Sequence, residues 1–372
     1  MMATKLTNKE MLPAGGTAKV SKIDMRLIHN RDYWRDRAAQ LEAMTFEGSV
    51  QTEAELVKLY KECYGRLEEQ LAVWYAKFAE ENEISYQAAK EILSTEELAA
   101  FRLDVKEYIR LGKLKDPELQ KFLKQASAKF HVSRLEYLQV QTRMIIEQVE
   151  DQKTALITEA QDKAYVDRFY HTAFGIQKFQ GVGYNLEKVD RHQLDLLRKK
   201  PWAPDKYNFS ERIWKNKQKL IDALNKELTL GCIQGRNLDK MAKSISKVMD
   251  TTRYNAMRLC RTETAHFASL ATQDTYKKCH VDEYEILVTH DDRLSDICAA
   301  MDGERFRVSE YSEGLTAPPF HVNCRSTTIP VVDDDEPEAL PNGYQLPNGA
   351  QLPGAFELPE DMGFDQWLQK VR

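Results

Sequence analysis

VSRLEYLQVQTRMIIEQVEDQKTALITEAQDKAYVDRFYHTAF, from Val132 to Phe174, contains neither glycine nor proline. Its apolar residues recur at helical spacing between Glu, Gln, Lys and Arg. An uninterrupted helix of this length makes roughly ten turns or more. Such a helix belongs to an extended arm or a bundle rather than to a pocketed enzyme core. Upstream, SVQTEAELVKLYKECYGRLEEQLAVWYAKF carries Leu56, Leu59, Cys63, Leu67, Leu71 and Trp74 on one helical face. SYQAAKEILSTEELAAFRLDVKEYIRLG predicts two shorter helices, with Ser94 as N-cap, Glu97 three residues on, and Gly112 as the stop.

Downstream, GIQKFQGVGYN (Gly175 to Asn185) breaks the pattern and marks the first boundary. SERIWKNKQKLIDALNKELTLGCIQGRNLDKMAKSISKVM then predicts helix, turn, helix, with Ser210 as cap and Gly231 and Gly235 flanking the turn. A long helix follows over Thr251 to Lys278. After it the period changes. Val281–Thr289, Gly303–Val308 and Ser326–Val332 are strand candidates. The fold class is therefore mainly α: a long N-terminal helical region, then a small α+β C-terminal domain, then an acidic tail. The expected divisions are a flexible arm over 1–30, the extended helical region over 31–180, the signature domain over 181–332 and a Pro/Gly-rich tail over 333–372.

Bulk properties agree. The chain has 372 residues, 30% charged and 42% hydrophobic, and is long enough for a substantial core. It shows no apolar run able to cross a bilayer and no apolar leader at its start, so no membrane partner is expected. The net charge of −5 is uneven: residues 331–372 carry nine acids and two bases. Asymmetry of this kind marks an interaction tail. In that tail QLPNGA, QLPG and ELPE form a loose repeat, and disorder is expected. It ends in MGFDQWLQKVR, where Phe364, Trp367, Leu368 and Val371 share a helical face. This segment either docks on a partner or packs on its own domain. From Lys188 to Lys219, ten bases meet four acids, with Trp202, Tyr207 and Trp214 interleaved. Arg198, Lys199, Lys200, Arg212, Lys215, Lys217 and Lys219 are its candidate DNA contacts; a solvated helix face is the plainer reading.

The chemistry-bearing residues lie in three pieces: Arg261-Thr262-Glu263 on the long helix, THDDRLSDICAAMDGERF (Thr289 to Phe306), and PPFHVNCRS (Pro318 to Ser326). His321 and Cys324, three apart, can ligate one metal ion from a single tight turn. Cys298 or Cys324 with His321 could instead form a nucleophile and base, although no local cysteine-hydrolase signature surrounds them. Glu263 and His266 stand one turn apart, as in carboxylate metal sites, but one copy is weak. His290, Asp291, Asp292 and Asp296 read as an exposed acidic turn before a cation site. There is no glycine-rich phosphate loop with its lysine. With no export signal, Cys63, Cys232 and Cys260 are expected to be buried small apolar residues rather than disulfide partners.

Taken together, the three pieces resemble the phage-Mu-type head morphogenesis family, the minor head proteins of tailed bacteriophages. The resemblance covers about residues 210 to 332. It rests on the Arg-Thr-Glu helix, on Asp291, Arg293, Cys298 and Gly303 of the middle stretch, and on Pro318, Pro319, His321, Cys324 and Arg325 of the loop. Relatives often have cysteines where this chain has Ser295 and Ser326. What remains is Cys298, His321 and Cys324, with His290 or Asp292 as a fourth ligand for a structural zinc, or a packed cluster without metal. Arg261, Glu263, Asp291, Arg293, Gly303, Pro319 and Arg325 are expected to form a structural clasp, with Arg325 bonding Asp291 or Asp302. The resemblance implies a non-enzymatic minor head protein in the virion, near the portal vertex inside the head. It implies portal protein as partner, with DNA and other head or scaffolding proteins beside it, and a part in assembly, packaging or delivery. Rival readings are a phage-delivered enzyme or toxin effector using the Cys/His residues, and a prophage remnant that only binds DNA. An ADP-ribosyltransferase fits poorly, because Glu283-Tyr284-Glu285 precedes Ser326-Thr327-Thr328, the reverse of the order such enzymes use.

Overall fold

A computed structural model describes residues 31–81, 128–203, 206–234, 236, 238–291, 293–331 and 354–371. The N-terminal arm, the two shorter helices expected around Ser94 and Gly112, and the middle of the acidic tail lie outside these residues.

The described chain is 71% helical, with seven helices. Four long ones make the frame: α1 (Arg31–Glu81), α2 (Ala128–Gln180), α4 (Phe209–Gln234) and α5 (Leu238–Lys278). The short α3 (Arg191–Arg198) lies between α2 and α4. Side-chain pairs fix the directions. Arg66 meets Gln148 while Arg168 meets Glu42, so α1 runs antiparallel to α2. Gln161 meets Glu263 and Tyr165 meets Asp274, so α2 and α5 run parallel. Arg212 meets Glu263 and Lys217 meets Glu147, so α4 is antiparallel to both.

The predicted helices are present with shifted ends. Gly175 does not stop α2. It packs against Trp34 of α1, and the helix runs on until Gly181 turns the chain at φ +70°. Ser210 is not the cap of α4. Asn208 is: its Oδ1 accepts from the Glu211 amide, and the Glu211 carboxylate accepts from the Asn208 amide. Gly231 lies within α4 against Met241, and the helix expected from Thr251 is continuous back to Leu238. Nothing in TTRYN interrupts it.

Beyond α5 come β2 (Glu283–Leu287), α6 (Asp296–Met301), β3 (Arg305–Arg307), a short 3-10 turn (Val308–Glu310) and β4 (Thr327–Pro330). The sheet is antiparallel in the order β3-β2-β4, with Tyr284 opposite Phe306 and Pro330. All three predicted strands are there, each trimmed at its ends.

The last described segment returns to the bundle. β5 (Phe356–Glu357) pairs with β1 (Val182–Gly183), and α7 (Phe364–Val371) lies on α2. Of the two readings of the terminal helix, the one in which it packs on its own domain describes the structure. Trp367 is fully buried, and its indole N–H donates to Gln177 Oε1 at 2.7 Å. The boundary at 180/181 separates elements that share one core. Trp34, Phe169 and Phe174 of the long helices cluster with Phe267, Tyr284, Ile329 and Trp367.

Candidate functional site

The Arg-Thr-Glu motif sits halfway along α5 in a polar belt of the bundle. Glu263 is almost wholly buried. It accepts from Gln161 Nε2 at 3.2 Å and from Arg212 Nη1 at 2.7 Å, joining α2, α4 and α5. Burial pushes its carboxyl up, and Arg212 pulls it back. Arg261 projects the other way, as two residues' separation on a helix requires, and makes a two-pronged ion pair with Glu53 of α1. Both partners belong to helices. Thr262 completes the motif: its Oγ1 accepts from the Asn323 amide at 3.2 Å and so ties the distant loop to α5.

Next to Glu263, His266 is buried and stacks on Trp202 at 4.3 Å, and the Arg212 guanidinium lies 5.2 Å from the Trp202 ring centre. Burial and Arg212 together push His266 down to about 3. A neutral imidazole under an aromatic ring, beside a carboxylate already engaged by Arg212, is packing rather than metal ligation.

The final loop forms the expected clasp. The Cys324 amide donates to the His321 carbonyl at 3.1 Å, closing the tight turn, and Asn323 takes the left-handed conformation inside it. Ser269 of α5 holds the Pro318 carbonyl; Pro318 and Pro319 are buried and joined by a cis peptide. Arg325 grips Asp291 with both guanidinium nitrogens. Beside Arg325 and the Arg293 amide, the Asp291 carboxyl is held at about 2. Arg293 contributes that amide, while its side chain is exposed. Gly303 turns the chain at φ +79° between α6 and β3, where a Cβ would be strained. Asp302 takes no part in gripping Arg325. It accepts from the Val288 amide and pairs with His290 at 2.8 Å.

Cys298, His321 and Cys324 come together, with their ligand atoms within 4.8 Å of one another. The cluster does not include His290, which turns to Asp302; Asp292 is outside the described residues. Ser295 takes a place beside the cluster instead. Its hydroxyl lies 2.9 Å from His321 Nε2 and caps α6 by accepting from the Cys298 amide. Elsewhere, burial pushes the Cys63, Cys260 and Cys279 thiols up to about 12, as for inert core residues.

The basic segment divides in two. Arg198 is buried, paired with Asp162 and Asp195 and donating to Gln161. Arg212 serves Glu263, and Lys217 pairs with Glu147 at 2.6 Å. Lys199, Lys200, Lys215 and Lys219 are exposed. Trp202 packs on His266, while Trp214 stands on the surface.

Sequence reasoning did not foresee Glu53, Gln161 or Arg168. Arg168 is buried and binds the Leu41 carbonyl, Glu42 and Thr45 of α1. A cavity of about 170 Å³ lies nearby between α1 and α2, lined by Met44, Gly48, Thr52, Glu159, Lys163 and Asp167, and none of Cys298, His321 and Cys324 lines it.

Comparison with known proteins matches residues 222–329 to the phage head morphogenesis family described as Phage Mu protein F like protein. The matched stretch runs from α4 to the last residues of β4 and contains the motif, the cysteine cluster and the clasp. Among curated proteins, the chain is similar to NAD(+)--arginine ADP-ribosyltransferase EFV of Enterococcus faecalis, at 23% identity over 184 residues. The alignment covers 46% of this chain and spans only 37% of that protein's length. No solved structure matches the chain.

Proposed function

We propose, from the head morphogenesis family matched over residues 222–329, that the chain is a non-enzymatic minor head protein of a tailed phage. It works inside the head at the portal vertex, in assembly and in DNA packaging or delivery. The observation that carries this reading is the match itself, made on the residues that build the folded clasp. Support comes from the use of those residues: Glu263 and Arg261 hold helices together, and Arg325 and Asp291 close a loop. These are structural roles within the fold. The extended helical region is the portal-binding candidate, and Lys199, Lys200, Lys215 and Lys219 are the DNA-contact candidates that face solvent. No described helix is long and apolar enough to cross a membrane.

The second reading, an effector delivered with the DNA, is favoured by one observation: Cys298 Sγ lies 3.0 Å from His321 Nε2. Against it, Cys298 is 3% exposed. The motif order that argues against ADP-ribosyl transfer also stands. Peptide mass spectrometry on gradient-purified heads decides between them. Finding the chain at a few copies beside portal protein supports the minor head protein. Finding it only in the soluble lysate overturns that reading.

A further inference from the structure

Three donors converge from two separate parts of the chain. Cys298 sits in the first turn of α6; His321 and Cys324 flank the turn that precedes β4. Cys298 Sγ and Cys324 Sγ are 3.7 Å apart. That is far beyond a disulfide bond. It is close to the edge of a zinc tetrahedron, since two Zn–S bonds of about 2.3 Å at the tetrahedral angle separate the sulfurs by about 3.8 Å. His321 Nε2 lies 3.0 Å from Cys298 Sγ, directed into the same space. The other ring nitrogen, Nδ1, lies 2.8 Å from the Val322 carbonyl. A carbonyl only accepts, so Nδ1 carries the proton and Nε2 presents its lone pair, the arrangement in which histidine ligates metals. Nothing in ordinary core packing calls for two thiols and an imidazole lone pair to meet at one point.

We propose that Cys298, His321 and Cys324 form a three-ligand zinc site whose fourth position faces the Ser295 hydroxyl. Two thiolates and a neutral imidazole are the donor set of zinc rather than of magnesium or calcium. Ser295 is a weak oxygen donor, so the fourth position holds its hydroxyl or a water hydrogen-bonded to it. The metal binds as the two thiols release their protons to solvent, and no oxidant or reductant is involved. His321 is half-buried, which leaves an edge for entry. Bound there, zinc pins α6 to the final loop, adding to the Ser295–His321 contact and the Arg325–Asp291 pair that link these parts of the chain. This site goes beyond the reading as a head protein and does not depend on it.

The test uses the full chain, expressed with zinc in the medium and purified under reducing conditions. Elemental analysis is expected to find one zinc per chain. Exchange with Co²⁺ is expected to give thiolate-to-cobalt charge transfer together with the intense visible bands of tetrahedral coordination. Cys298→Ser, Cys324→Ser and His321→Ala should each abolish zinc retention while circular dichroism keeps the helical signal of the bundle. Ser295→Cys supplies a third thiolate and should slow zinc release to a chelator. A wild-type chain that carries no zinc and takes up Co²⁺ without thiolate bands overturns the proposal. So does a Cys298–Cys324 disulfide in freshly purified, metal-free protein. Neither result bears on whether the chain is found in phage heads.

Discussion

Glu263 shows what a buried charge requires of its neighbours. Its carboxylate faces Arg212, which is itself largely buried, and Gln161. Glu263→Ala removes the buried carboxylate that faces this guanidinium, at a cost of about 3–5 kcal/mol. Glu263→Gln keeps a hydrogen-bond acceptor and should cost less. Glu53→Ala should also cost less than Glu263→Ala, because the guanidinium it leaves, that of Arg261, is 40% exposed. Denaturant unfolding of the three variants checks the order, and a Glu53→Ala effect as large as that of Glu263→Ala would contradict it. His266 makes the belt sensitive to acid. Its folded-state value, about 3, lies below the ordinary 6.5, so folding favours the neutral ring. Its contribution is therefore intact above pH 6.5 and is lost as the pH falls towards 3. By pH 4.5 the loss is about 2–3 kcal/mol. His266→Phe keeps the aromatic stack on Trp202 and should flatten that part of the pH–stability curve. An unchanged slope would place the acid sensitivity elsewhere, for instance at His171, which burial and Arg37 push down to about 4.

At the scale of elements, the C-terminal return is a built contact. Gln177 is fully engaged: its amide donates to the Tyr184 carbonyl, and its oxygen accepts from the Tyr184 amide and the Trp367 indole. Phe364 stacks on His171 at 3.8 Å, and Gly183 lies directly under the Phe356 ring. A Cβ at Gly183 would stand 2.2 Å from that ring, so a side chain there must displace Phe356. Gly183→Val should release β5 and α7 without unfolding the bundle. Trp367→Ala should do the same, with a loss of about 3–5 kcal/mol. Limited proteolysis after Gly354 reads the release in both. Equal protection of wild type and variants would show that the segment is held some other way. The strands and the amphipathic α7 were legible because periodicity and apolar spacing are local signals. The destination of α7 was not, because its groove is assembled from residues almost two hundred positions away. Helix ends failed for a related reason. Gly175 and Gly231 look like breakers in a linear reading, yet each is a point of close helix approach, against Trp34 and Met241.

On the scale of the whole molecule, Trp34 of the helical region, Tyr284 of the signature domain and Trp367 of the tail belong to one apolar cluster. The C-terminal contacts were legible in part: Arg325 meets Asp291, and Cys298 meets His321 and Cys324, while His290 turns to Asp302 and Arg293 offers only its amide. The basic segment misled because charge along a sequence does not say which way a side chain points. Arg198 and Arg212 count as surface charge in the linear chain, yet both are turned into the polar belt. The DNA-binding prediction therefore narrows to Lys199, Lys200, Lys215 and Lys219. Changing all four to Gln in the full chain should leave stability nearly unchanged. It should also reduce the slope of log affinity for duplex DNA against log salt by roughly three to four, the counterions released by four phosphate contacts. Arg198→Ala and Arg212→Ala should instead lower the unfolding midpoint, because the first removes the donor to the buried Gln161 oxygen and the second removes the counter-charge of buried Glu263. Replacing Asp333, Asp334, Asp335, Glu336 and Glu338 by Asn or Gln removes five negative charges, keeps β5 and α7, and should raise DNA affinity at low salt if the tail competes with phosphate for the lysines. An affinity unaffected by both the four Gln substitutions and the neutralised tail would remove DNA from the partners of this face and leave its role to protein contacts.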